Sequence, residues 1–208
     1  MRPAVICRRF ALFAALLAGV QSLNAAAEER AADDDVVAVT SFVETFVANA
    51  VAILTDESLP PGERDEAFRA MLMEGFDTFG GARFVLGRGW RMATREQRDE
   101  FVALFRQELL RKAKELFEGY EAGEVLEVMR VLALGAGKFM VATELTNPEA
   151  RINDVDFLVR KTGARLQIVD VRLEGFSLRE TYRREFVPPL FQGGVERVLR
   201  RLRPREAF

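Results

Sequence analysis

The chain has 208 residues with 30 basic and 32 acidic side chains, no histidine, one cysteine (Cys7) and seventeen phenylalanines. Without imidazole it lacks the commonest group for acid-base catalysis, zinc binding and serine activation. The slightly acidic balance also lacks the basic face that nucleic-acid phosphates demand. Many phenylalanines and few reactive groups point instead to a protein that holds something apolar.

Arg2, Arg8 and Arg9 precede an apolar run over residues 10–20, and Ala25, Ala26 and Ala27 supply small residues for cleavage before Glu28. That order is the pattern of a secretory signal, so residues 1–27 are expected to be removed on export and residues 28–208 to form a single domain. The apolar run is about half the roughly 20 residues a membrane span needs. No later stretch reads as long and uncharged. A lipoprotein signal would place a cysteine just after the apolar run, but Cys7 lies before it. Removal of residues 1–27 takes away three arginines, leaving 27 basic against 32 acidic side chains, a net charge of −5. It also removes Cys7, Phe10 and Phe13, so fifteen phenylalanines remain without histidine or cysteine.

The spacing of Val36, Val39, Val43, Phe46, Val47, Ala50 and Leu54 predicts an amphipathic helix from Asp33 to Thr55. Asp33, Asp34 and Asp35 ahead of it suit a helix N-terminus and lack the alternating spacing of a calcium loop. Pro60, Pro61 and Gly62 break the pattern, and a second helix follows with Ala67, Phe68, Met71, Leu72 and Phe76 on one side. A short third helix is expected over residues 79–86. Thr94 with Gln97 three residues on is a capping box, and it opens a long helix to about Glu118. The predicted buried stripe of that helix is Phe101, Leu104, Phe105, Leu109, Ala113, Leu116 and Phe117.

After Gly119 the period changes from helical to alternating. Segments 125–134, 139–146, 155–161 and 166–173 are rich in valine and leucine and are separated by glycine- or proline-containing breaks. They predict an antiparallel meander of four strands. Phe139, Val141 and Leu145, with Val155, Phe157 and Val159, give it one apolar face. Pro188 and Pro189 are expected to start a closing helix with Leu190, Phe191, Val195, Val198, Leu199 and Leu202 inward. The expected class is α+β: N-terminal helices and a C-terminal helix on one face of a four-stranded sheet, enclosing an apolar pocket, nuclear-transport-factor-like in outline.

Asp170 interrupts an apolar strand and Ser177 follows the Gly175–Phe176 bend, so an acid and a nucleophile can be named. No imidazole is present to activate the serine, and lysine-assisted chemistry has no recognisable spacing here. Asp170 is expected as a hydrogen-bonded partner at a strand irregularity, and Ser177 as a turn or cap residue. Arg83, Arg88 and Arg91 line a glycine-rich stretch and form either a solvated basic surface or a site for a phosphate or an acidic protein.

The run FGGARFVLGRGWRMATREQRDEFVALF over residues 79–105, with Phe76 and Asp77 before it, resembles the central signature of the MlaC or toluene-tolerance family of periplasmic phospholipid-binding proteins. Tyr120 with Gly123 and Glu124, the segment VDVRLEGFS over residues 169–177, and Tyr182, Arg183 and Phe186 match further family positions in order. The likeness runs from about Phe42 to Leu202. It departs from the common pattern at Leu166, where many relatives carry tryptophan. The resemblance implies a periplasmic lipid carrier without cofactor or metal. Such a carrier shuttles a phospholipid between an outer-membrane lipoprotein complex and an inner-membrane ABC transporter, and so serves outer-membrane lipid asymmetry. A monomer is expected. Hopanoid or sterol-like lipid binding, or a small nuclear-transport-factor-like enzyme acting on an apolar substrate, are the alternatives.

Two acyl chains hold about 30 methylenes, and at roughly 0.8 kcal/mol each their exposure to water costs on the order of 24 kcal/mol. The pocket is therefore expected at or beyond the upper end of ordinary ligand sites, about 1,000 Å³. Candidate lipid contacts are Phe101, Phe105, Leu109, Phe117, Phe139, Val141, Phe157, Val159, Val171 and Phe176, each of which fits plain core equally well. Trp90 and Tyr120 carry amphipathic rings suited to a pocket mouth or to half-buried packing.

Overall fold

Helix α1, Asp33–Thr55, opens the part of the chain that the computed structural model describes, residues 33–118, 125–146 and 152–203. Contacts divide the chain into Met1–Ala38 and Val39–Phe208. Of the first unit only residues 33–38 are described, all of them helical. By length and a mean hydropathy of 1.9, α1 could cross a membrane. This corrects the expectation that nothing after residue 27 has that character. Its buried residues Val39, Val43, Phe46, Val47 and Ala50 nevertheless recur at helical spacing and share one core with Phe68, Leu72 and the sheet, which is the stripe of a core helix.

Helix α2, Pro61–Gly75, starts with proline at its first position, where the missing N–H would have had no partner anyway. The chain then extends. Phe76 forms a parallel bridge with Ile168, and the Asp77 N–H donates to the Ile168 carbonyl at 2.9 Å. Asp77 next caps helix α3, Thr78–Leu86, by accepting the Gly80 N–H at 2.9 Å. A Cβ at position 80 would fall 1.9 Å from Asp77 Oδ2, so this cap requires glycine there. After the short helix α4, Arg88–Met92, the predicted capping box is present: Thr94 N–H donates to Gln97 Oε1 and Gln97 N–H to Thr94 Oγ1, both at 3.2 Å. It anchors helix α5, Arg95–Glu118, and such a cap stabilises by about 1 kcal/mol.

The sheet is a meander in the order β1 (Val125–Gly135), β2 (Lys138–Thr146), β3 (Ile152–Thr162), β4 (Arg165–Leu173), β5 (Phe176–Ser177), every neighbouring pair antiparallel. The fifth strand is an addition to the predicted four. Glu174 and Gly175 both take positive φ, 49° and 78°, which folds the chain sharply back so that Phe176 and Ser177 pair with Leu173 and Arg172. Two residues are too few to show an alternating pattern in sequence. Phe139 faces Val159, Val141 faces Phe157, and Phe157 faces Val171, so these side chains form cross-strand rows on one face. The register slips between Leu158 and Val159: Leu158 pairs with Asp170 but Val159 with Ile168, leaving Val169 as an extra residue. Asp170 thus sits at a bulge.

Helices α1 and α2 cover the apolar sheet face, and a second core forms among the remaining helices. Not all of α5 lies against the sheet. Its N-terminal half packs instead in the second core. There Phe101 stacks on Phe105 with centroids 6.0 Å apart and meets Phe186 edge-on, also at 6.0 Å. Only further along do Leu110 and Ala113 reach the sheet-side core.

The closing helix α6 is Leu178–Leu202, so it starts ten residues before Pro188. Ser177 caps it, its Oγ accepting the Glu180 N–H at 3.1 Å. Pro188 and Pro189 lie inside, and the helical path breaks at Gly193 and Gly194, where Gly194 takes φ 66°. Val195, Val198 and Leu199 point inward as expected, whereas Phe191 is exposed.

Candidate functional site

The two cores leave a gap between them, a cavity of about 390 Å³. Helices α1 and α2 contribute Phe46, Val47 and Leu72, the sheet contributes Val155, Phe157 and Val171, and the second core contributes Phe105 and Tyr182. Leu109 and Ala113 of α5 and Phe76 after α2 complete the apolar wall. Lys112, Asp154 and Glu174 line it too and are exposed, which marks where it opens to solvent.

The volume is well below the expected 1,000 Å³. Four phenylalanines, Phe46, Phe76, Phe105 and Phe157, line the cavity and fill space that two acyl chains would need.

Four candidate residues come together on this wall: Phe105, Leu109, Phe157 and Val171. Phe101, Phe139, Val141 and Val159 are buried in closed packing and do not line it. Trp90 is half-buried away from the cavity, edge-on to Phe79 at 5.4 Å, with the Arg98 guanidinium 5.7 Å from its ring. Phe176, on the short β5, is 68% exposed. The Phe117 side chain and the whole of Tyr120 lie outside the described residues. The candidates omit Phe46, Val47, Leu72 and Tyr182; a stripe shows that they are buried but not that they meet a void.

The polar part of the wall centres on Asp170 and Asp77. Asp170, buried at its bulge, accepts from Ser177 Oγ at 2.6 Å and from the Arg179 N–H at 3.2 Å, with Arg179 Nε 3.4 Å from Oδ2. Ser177 Oγ therefore donates to Asp170 while accepting from Glu180, which makes it a cap and joins the start of α6 to β4. The Arg179 guanidinium also lies over the Phe84 ring at 4.4 Å. Asp77 Oδ2 accepts from Arg160 Nη2 at 2.6 Å, which fastens α3 to β3. Among the described residues no group of three or more His, Cys, Asp or Glu is placed to hold a metal ion.

Tyr182 is 7% exposed, and its hydroxyl donates to Glu108 Oε1 at 3.0 Å. Burial first, and then the Glu108 charge, push its phenol well above the ordinary 10.0. The unfolded chain loses this proton near pH 10 while the native state keeps it. The stabilisation is therefore fully present below pH 10 and is lost as pH rises beyond it. Urea unfolding at a series of alkaline pH values should show wild type losing stability more steeply than Tyr182→Phe; parallel curves would contradict this.

The family described as MlaC protein matches residues 44–204. Among solved structures, a phospholipid-binding protein from Ralstonia solanacearum, determined in complex with a phospholipid, is similar at a TM-score of 0.69 and 21% identity. The likeness covers 78% of this chain and 93% of that one, and it shows a shared fold. No curated protein sequence matches the chain.

Proposed function

The chain belongs to the MlaC protein family, and on that premise we propose that it is an exported, periplasmic lipid carrier that takes a phospholipid acyl chain into its cavity. It shuttles the lipid between an outer-membrane lipoprotein complex and an inner-membrane ABC transporter, and it catalyses no reaction. The observation that carries this reading is the apolar cavity of about 390 Å³ between two cores, open at Lys112, Asp154 and Glu174. The phospholipid bound by the Ralstonia neighbour supports the choice of ligand.

Phe105, Leu109, Phe157 and Val171 contact the acyl chain, together with Phe46, Leu72 and Tyr182. Each methylene buried there contributes roughly 0.8 kcal/mol, which favours the cavity over water. The headgroup stays at the open end, beside Lys112, Asp154 and Glu174. Ser177 is committed to capping α6, and the cavity has no histidine, so its walls offer shape rather than reactivity.

Incubation with vesicles carrying a fluorescent phospholipid, followed by flotation, checks the carrier role. Label should leave with the protein, saturating at no more than one lipid per chain. No transfer at a large vesicle excess would refute the carrier role.

A further inference from the structure

Beside the second core, a groove of about 350 Å³ runs between the α3–α4 pair and α6. Val85, Leu86, Phe186 and Leu190 line it. At the same groove Met92 is 70% exposed and Phe191 76% exposed, with Val187 also in water. Apolar side chains scattered singly over a surface need no explanation, but three gathered around one apolar groove do. No residue lines both this groove and the lipid cavity, although Phe186 here stacks on Tyr182 there at 6.2 Å.

The charge beside the groove has one sign. Arg88 and Arg183 line it, and Arg83 and Arg91 are exposed on the same two helices, α3 and α4. Among the described residues no carboxylate pairs with Arg83, Arg88, Arg91 or Arg183. Arg183 lies over the Phe84 ring at 4.9 Å, a contact that leaves its charge uncompensated. Helix α6 breaks just beyond, at Gly193 and Gly194, with Phe191 exposed ahead of the break.

We propose that this groove docks an acidic amphipathic helix of a partner protein. Its apolar side chains at helical spacing would enter between α3–α4 and α6, and its carboxylates would meet the arginines. Concavity favours a helix over a lipid surface, because a flat bilayer cannot reach residues recessed between two helices. The uncompensated arginines favour an acidic partner over a second copy, which would bring the same basic groove.

The test uses a dye-labelled synthetic helix with leucine and phenylalanine on one face and glutamate elsewhere, added to the full mature protein and followed by fluorescence anisotropy. Binding should saturate at one peptide per chain, weaken as salt rises, and fall at least tenfold in Phe191→Ser and in the double variant Arg88→Glu/Arg91→Glu. All three side chains are exposed, so thermal unfolding and phospholipid loading should match wild type in both variants, which separates this result from the fate of the cavity. A companion peptide with lysine in place of glutamate should not bind. Equal binding of that companion, or unchanged affinity in the variants, would overturn the proposal. So would self-association or anionic-vesicle binding that depends on Phe191 in place of peptide binding.

Discussion

Replacing Val171 with glutamate is expected to abolish phospholipid loading in a protein that still folds, whereas the same change at Val159 is expected to unfold it. The two valines lie on neighbouring strands of one apolar sheet face, yet only Val171 lines the cavity. A carboxylate there can keep water beside it in the open space, and an acyl chain must then strip that water away. Burying an uncompensated charge costs several kcal/mol, which corresponds to at least about a hundredfold loss of affinity. Val159 is fully buried in the core that α1 and α2 share with the sheet and borders neither the cavity nor the groove, so a carboxylate there has no water beside it. Several kcal/mol there is a large part of a total stability of about 5–15 kcal/mol. Circular dichroism melting and vesicle uptake, run on both variants, check the pair; a folded Val159→Glu, or a loaded Val171→Glu, would contradict it.

Asp170→Ala is expected to lower stability by about 3–5 kcal/mol, the range for removing one partner of a buried ion pair. Its side chain is 2% exposed and holds Ser177, the Arg179 backbone and the Arg179 guanidinium at once. Loss of the carboxylate leaves the arginine charge partly buried and unties the first turn of α6 from β4. For a domain of this size, that lowers the melting temperature by on the order of 10 °C. Asp170→Asn keeps an acceptor for Ser177 but not the charge, so it should fall between alanine and wild type. Urea unfolding measures the series, and a loss below about 1 kcal/mol for alanine would show that the network carries little of the fold.

The elements themselves were legible because each carries its own period or punctuation. Thr94 and Gln97 mark the start of α5, Pro61 that of α2, and the valine-rich segments mark the strands. The start of α6 is marked in the sequence too: Ser177, expected as a turn or cap residue, is followed by Glu180 at capping-box spacing, but Pro188 and Pro189 look like a stronger boundary. With a helix expected only from Pro188, Arg179 and Tyr182 have no helix to place them on the wall they help build.

Which phenylalanines meet the cavity was not legible, for a simple physical reason. Phe101 and Phe105 lie one turn apart on the same stripe of α5, and both are buried, but one closes against Phe186 and the other borders open space. Periodicity encodes removal from water, which core and cavity wall share. The difference lies in what stands opposite, and that is set by α6, α1 and the sheet together. Phe176 and Phe191 err the other way: each follows the apolar pattern and each is exposed.

The most direct measurement is solvent extraction of protein purified undenatured from its native host, with the extracted lipids identified by mass spectrometry. The cavity account predicts phospholipid at up to one molecule per chain in wild type and none in folded Val171→Glu. Wild-type protein that carries no lipid, or carries only a polycyclic one, would contradict it.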